Sequence, residues 1–152
     1  MIRPATLADV PRLVEMGVSL RREPVLRDHL QENPTALEAV AHSLVTGEAS
    51  DLLVAERDGG VVGMLGLLAY SHPMSGQRVA SEIAFWVDPA HRGAGVALLR
   101  AGEAWARAHE CPEMEMGSPN ERVDRLYERL GYVAVERRYR KMVGDDEVGR
   151  VA

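Results

Sequence analysis

The stretch His91-Arg92-Gly93-Ala94-Gly95 lies between an apolar β-type run, Ile83-Ala84-Phe85-Trp86-Val87, and an apolar-striped helical segment that reaches Trp105. Glycines let backbone N–H groups approach phosphate oxygens, and a helix beginning there adds unpaired N–H groups and the positive end of its dipole. Such a turn can hold a pyrophosphate. Downstream, Asn120 and Tyr127 are spaced two helical turns apart and share a stripe with Val123 and Leu130, so both face inward. Periodicity alone favours the plainer pair, a helix-capping asparagine and a core tyrosine with a bonded hydroxyl. Upstream, alternation puts Glu82 on one strand face with Ala80, Ala84 and Trp86, and puts Val79, Ile83, Phe85 and Val87 on the other. A carboxylate beside Trp86 can have the raised pKa that a base working near neutral pH needs. The alternative is a solvated or ion-paired glutamate.

Arg92-Gly93-Ala94-Gly95-Val96-Ala97 matches an Arg/Gln-x-x-Gly-x-Gly/Ala signature, with Val87-Asp88-Pro89 before it at the usual distance. The run from Asn120 to Tyr132 matches a segment that opens on Asn and ends Leu-Tyr-x-x-Leu-Gly-Phe/Tyr. Ile2-Arg3-Pro4-Ala5-Thr6 followed by Asp9, and Val62-Gly63 after Asp58-Gly59-Gly60, match an opening and a second hairpin. In order and spacing these motifs run from residue 2 to about residue 142, and on them the chain resembles the GNAT superfamily of N-acetyltransferases. With its His72-Pro73-Met74-Ser75-Gly76 loop it is similar to compact phage and bacterial members of unassigned substrate. It departs from many relatives in running straight from Gly95-Val96-Ala97 into Leu98-Leu99, a turn two residues shorter.

The resemblance implies that Arg92, Gly93, Ala94, Gly95, Val96 and Ala97 hold the pyrophosphate of acetyl-CoA. Backbone groups of Phe85, Trp86 and Val87 would meet its pantetheine arm, with a main-chain N–H of that strand facing the charge that develops on the carbonyl oxygen. Asn120 would bond the CoA, and the Tyr127 hydroxyl would point at its sulfur. An alkylammonium has a pKa of about 10.4, so an amine acceptor must first lose a proton to a carboxylate or a water relay. Glu82 is the candidate base and Tyr127 the candidate acid for the departing thiolate. Arg92 either touches phosphate or is a solvated charge, and His72 and His91 are left outside the site as polar surface. The activity implied is acetyl transfer to a primary amine of a small molecule or protein, by direct attack in a ternary complex. The alternative is a non-catalytic acyl-CoA-binding or sensing module. Residues 19–50 and the loop 72–77 would meet the acceptor, and a homodimer stays open.

A chain of 152 residues, 46% hydrophobic, suits one domain, taken as residues 1–143, with Gly144 to Ala152 a short acidic tail expected to fray. Net charge of −5 argues against a broad nucleic-acid surface. The single Cys111 excludes an internal disulfide and a multi-cysteine metal site, the five histidines show no paired ligand spacing, and no metal is expected. The longest apolar run, Val61 to Tyr70, is well short of the roughly 18–20 residues that span a bilayer, and the opening Ile2-Arg3-Pro4 lacks a signal-peptide pattern. These features point to the cytoplasm and to no membrane partner.

The elements that must carry the site follow from periodicity and punctuation. Ile2 to Thr6 reads as a strand, and Thr6 or Asp9 starts a helix with Val10, Leu13 and Val14 inward. Asn33-Pro34-Thr35 opens a second helix, with Leu37, Val40, Ala41 and Leu44 as its apolar face and Gly47 as its stop. Leu52 to Arg57 and Val61 to Ser71 flank the hairpin signal Asp58-Gly59-Gly60, and Arg78 to Val87 is the next strand. The helix after Gly95 buries Leu98, Ala101, Gly102 and Trp105, with Gly102 admitting a close strand. Glu113 to Met116 alternates as a strand with its methionines inward, Asn120 to Gly131 is a helix, and Tyr132 to Val143 is expected to close the sheet. The predicted class is α/β, a mixed central β-sheet flanked by helices, in the order strand, helix, helix, three strands, helix, strand, helix, strand.

Overall fold

The computed structural model describes residues 1–144, so the expected acidic tail falls outside the described residues from Asp145 onward. The chain divides into two compact units, Met1–Pro119 and a second beginning at Asn120.

The first unit is built on a five-stranded sheet in the order β1 (Ile2–Pro4), β2 (Ser50–Arg57), β3 (Gly60–Ser71), β4 (Arg78–Val87), β5 (Glu113–Glu115). Pairing is antiparallel from β1 to β4 and parallel between β4 and β5. The β2–β3 turn is Asp58-Gly59 with φ of 50° and 77°, the doubly positive geometry whose twist matches flanking strands and which Asp-Gly favours. Helices α1 (Val10–Arg21) and α3 (Pro34–Thr46), with the single turn α2 (Pro24–Arg27) between them, precede β2, and α4 (Ala94–Ala108) joins β4 to β5.

Two cores result. Val10, Leu13, Met16, Ala41 and Leu44 from the first helices pack on Leu52, Val54 and Met64. Leu98, Trp105 and Ala106 of α4 pack on Leu53, Leu65, Leu67 and Ala80 of the sheet. Gly102 allows this seating, because a Cβ there would lie 2.7 Å from Leu65 Cδ2 and 3.1 Å from Met114 Cε. In α3 the Asn33 side chain accepts the Ala36 N–H and the helix stops at Gly47, as the sequence suggests. Val40, expected inward, is exposed; it sits at the rim of a stripe made by Leu37, Ala41 and Leu44, and Val45 takes the packed position instead. The start of α1 is fixed by charge. Asp9 accepts the Thr6 N–H at 2.8 Å and two Arg3 guanidinium bonds at 2.8 and 3.0 Å, while Arg3 Nε reaches Glu56 at 2.7 Å. Chiefly through the Arg3 hydrogen bonds, the Asp9 carboxyl is held at about 2.

A β-bulge corrects the expected faces of β4. Gly66 pairs with Ala84 and Leu67 with Glu82, which leaves Ile83 as an extra residue. Alternation restarts across it. Ala84 and Trp86 pack on the α1–α3 side, and Phe85 and Val87 on the α4 side. Glu82, opposite the buried Leu67, joins the α4 side with Ala80, so it does not share a face with Trp86.

The sheet ends at β5, where Met114 and Met116 pack inward and the glutamates face out. The sixth strand expected over Tyr132 to Val143 is not formed among the described residues. Val133, Val135, Tyr139, Met142 and Val143 are exposed there. A strand needs an edge to bond, and Arg137, Arg138, Arg140 and Lys141 crowd like charge into one short segment.

In the second unit, the Asn120 side chain caps α5 (Glu121–Arg129) by accepting the Val123 N–H at 3.1 Å. Gly131, at φ 88°, ends the helical course, and the Tyr132 N–H returns to the Tyr127 carbonyl at 3.0 Å. Val123 and Tyr127 are buried, and the Tyr127 and Tyr132 rings lie 5.4 Å apart. No helix among the described residues is long and apolar enough to cross a membrane.

Candidate active site

β4 delivers the chain to the glycine turn in a fixed register. The Asp88 N–H donates to the Val62 carbonyl at 2.9 Å, Pro89–His91 makes one 3₁₀ turn, and the His91 N–H closes it on the Asp88 carbonyl at 2.8 Å. Arg92 and Gly93 follow, and α4 begins at Ala94. Gly93 therefore holds the cap position. Gly95 lies buried in the first helical turn, its N–H donating to the Arg92 carbonyl at 3.1 Å, and Val96 and Ala97 are half-buried farther along the helix.

Helices leave their first N–H groups without intrahelical acceptors. Asn33 and Asn120 satisfy such groups at α3 and α5, whereas no side chain caps α4 and its first turn carries no acid. A Cβ built on Gly93 meets nothing within 4 Å, so the backbone is approachable from outside, and exposed Arg92 stands beside it. Donors, helix dipole and a neighbouring cation in one open place fit a diphosphate.

Glu82 stands midway along the same strand, beside the bulge. β5 pairs with β4 only from Val79↔Glu113 to Ser81↔Glu115, and the two strands part immediately before Glu82. At the fork, the Gly117 N–H donates to Glu82 Oε2 at 2.6 Å. Burial pushes the Glu82 carboxyl up to about 7 against the opposing effect of that hydrogen bond. The raised value expected from Trp86 is thus reached by desolvation at the fork. With Ile83 in the bulge, Glu82 and Val87 are four ladder steps apart on the partner strand, roughly 14 Å at strand rise. Phe85 and Val87 lend their side chains to the core and Trp86 donates its indole N–H to Asp88 Oδ1 at 3.1 Å, so any ligand along this strand would meet chiefly backbone.

The first unit thus brings Glu82, Phe85 to Val87 and Arg92 to Ala97 onto one strand and its following turn. Asn120 and Tyr127 belong to the second unit, where the capping role of Asn120 is met and Tyr127 is a buried ring. His72 serves its own loop, Nδ1 accepting the Met74 N–H at 3.2 Å. Two participants escaped sequence reasoning. Gly117 carried only the faint signal of a glycine ending an alternating strand. Arg12 carried none, since a polar residue on a helix reads as solvated; its Nε donates to the Val61 carbonyl at 3.0 Å and its Nη2 to Asp88.

The acetyltransferase (GNAT) family model matches residues 18–132. The chain belongs to the GNAT acetyltransferase family. It is an acyltransferase, and solved structures share its fold at low identity. A mutant of the BH1408 protein from Bacillus halodurans is 21% identical with a TM-score of 0.82, covering 94% of this chain and 99% of that one. The ribosomal-protein-alanine N-acetyltransferase from Brucella melitensis biovar Abortus 2308 is 20% identical with a TM-score of 0.70, over 94% and 99%. AAC(6')-Iy in complex with the bisubstrate analog CoA-S-monomethyl-acetylneamine is 20% identical with a TM-score of 0.74, over 94% and 98%. No curated protein matches. Among the described residues of this acetyltransferase, no group of three or more His, Cys, Asp or Glu side chains comes together to hold a metal ion.

Proposed function

We propose that this acetyltransferase moves an acetyl group from acetyl-CoA to a primary amine of a small molecule or protein, by direct attack in a ternary complex in the cytoplasm, with residues 1–143 as its working domain. The observation that carries the proposal is a single strand that leads from a mid-strand carboxyl, raised to about 7 by burial, to an open, uncapped helix N-terminus just past its end. Acetyl-CoA supplies an activated acyl group at the far end of a long arm from its pyrophosphate. A diphosphate-binding turn separated from a base by a strand of extended backbone suits that shape.

The residues divide the work. Gly93, Ala94 and Val96 offer N–H groups and Arg92 a guanidinium to the pyrophosphate, while Gly95, whose N–H is held by the Arg92 carbonyl, lets the backbone come close and Ala97 continues the helix behind them. The backbone of Phe85, Trp86 and Val87 orients the arm, and a main-chain N–H of this strand faces the carbonyl oxygen as charge develops there. Glu82 takes a proton from the amine; a carboxyl at about 7 is half ionised near neutral pH, which is where a general base works best. Asn120 bonds the CoA, and Tyr127 gives its proton to the departing sulfur, roles that rest on the match of residues 120–132 to the family's segment. Binding tests the first part directly. Calorimetric titration should show acetyl-CoA binding to the wild type and at least tenfold weaker binding to a folded Gly93→Glu variant, whose added charge favours the helix dipole but repels phosphate. Equal affinity of the two proteins would remove the pyrophosphate from this turn.

A further inference from the structure

Helix α1 reaches the glycine turn through one side chain. Arg12 spreads its guanidinium over three acceptors: Nε donates to the Val61 carbonyl on β3 at 3.0 Å, Nη1 to Glu15 at 3.0 Å, and Nη2 to Asp88 Oδ2. The other Asp88 oxygen accepts the Trp86 indole N–H at 3.1 Å. The Asp88 backbone is fixed as well, by its N–H to Val62 and its carbonyl from His91. Asp88 is thus held at four points, and the turn that leads to Gly93 starts from it.

We propose that Arg12 and Asp88 are positioning residues that set the glycine turn for the diphosphate of the acyl donor, so that α1 governs donor affinity from the far face of the sheet. The proposal rests on the reading that this turn takes the pyrophosphate. The half-exposed Arg12–Glu15 arm is an i,i+3 surface pair and contributes little. The Arg12–Asp88 arm is different because it joins separate elements and is charge-assisted and shared with an indole. Without Arg12, one Asp88 oxygen loses its donor and the carboxylate is free to turn away from Trp86. The first N–H groups of α4 then sample a wider range of directions, and a rigid diphosphate meets fewer of them at once. Lysine cannot replace this arginine, since an ammonium cannot span the Val61 carbonyl and Asp88 as a planar fork does.

The test is calorimetric titration with CoA itself on wild type, Arg12→Lys, Arg12→Ala, Asp88→Asn, the double variant Arg12→Ala/Asp88→Asn, Glu15→Ala and Gly93→Glu, each checked for fold by near-UV circular dichroism. We expect Arg12→Ala and Asp88→Asn each to weaken CoA about 5- to 30-fold, the double variant to be no weaker than the worse single, Arg12→Lys to fall between wild type and Arg12→Ala, and Glu15→Ala to match wild type. Hydrogen exchange of the amides of residues 90–96 should quicken in the Arg12 variants while exchange in β2 stays unchanged, a split that general loss of stability would not produce. Wild-type CoA affinity in Arg12→Lys and Asp88→Asn, beside loss in Gly93→Glu, overturns the positioning role and leaves the pyrophosphate turn standing. Additive losses in the double variant also overturn it. Unchanged affinity in Gly93→Glu overturns the turn assignment and the positioning proposal with it.

Discussion

Glu82→Gln separates the two consequences of placing a carboxyl at the β4–β5 fork. Its folded-state pKa of about 7 lies above the unfolded value near 4.5. Between those values the native state binds more protons than the unfolded chain, so wild-type stability falls as pH rises through that window and is level on either side of it. Two and a half pKa units correspond to an upper figure of about 3 kcal/mol. Glutamine keeps an oxygen that can accept the Gly117 N–H and has no charge to desolvate. Its stability relative to wild type should therefore be nearly constant below about pH 4.5 and should gain up to about 3 kcal/mol by about pH 8. Urea denaturation of both proteins at several pH values measures this without any substrate. In the same variant kcat/KM near neutral pH should fall while acetyl-CoA affinity is kept, with a deficit that shrinks as pH rises and the amine deprotonates in solution. A stability difference independent of pH would refute the desolvated, half-ionised carboxyl. A pH-independent activity deficit would refute the base.

Three further outcomes follow from other parts of the structure. Asp9 has a folded pKa of about 2, below its unfolded value of 3.8, so its contribution is full above about pH 4 and is lost as pH falls through about 2. Asp9→Asn should cost about 1–2 kcal/mol at neutral pH, allowing for the partial exposure of Arg3, and urea denaturation should show that cost shrinking in acid. Gly102→Val would place a side chain where Leu65 Cδ2 already stands 2.7 Å from a bare Cβ, and thermal unfolding should report a loss of about 1–3 kcal/mol or more. Tyr127→Phe keeps the buried ring and removes the hydroxyl, so single-turnover acetyl transfer should slow by roughly 10- to 1,000-fold with acetyl-CoA affinity within a few-fold of wild type. Wild-type rates would leave Tyr127 a core residue.

Local punctuation made much of this fold legible. Asp58-Gly59 could hardly be anything but a tight hairpin, Asn33-Pro34 and Asn120 announced their helices, and Gly102 marked a close strand because α4 is otherwise apolar on that stripe. The glycine turn was legible for the same reason, as it falls between a β-type run and a helix. What stayed hidden depends on partners distant in sequence. The bulge at Ile83 arises from the match of β4 to β3, and Glu-Ile-Ala-Phe reads as plain alternation without it; the face of Glu82 was misassigned for that reason. The Tyr132 to Val143 segment, expected to close the sheet, forms no strand among the described residues, since pairing depends on a distant edge that its own residues do not report. Arg12 could not be picked out, because nothing local distinguishes an arginine that bridges to Asp88 from one that faces water.

The central claim is transfer of acetyl from acetyl-CoA to an amine nitrogen, and isotopic labelling tests it most directly. Protein should be incubated with acetyl-labelled acetyl-CoA and a panel of aminoglycosides, polyamines, amino acids and peptides with free N-termini, with Gly93→Glu as the blank, and read by mass spectrometry. The account predicts labelled acetyl on the nitrogen of at least one amine, free CoA in equal amount, and neither product with Gly93→Glu. Tight acetyl-CoA binding with CoA release no faster than in protein-free solution for every amine, or label that accumulates on the protein and is not passed on, would contradict it.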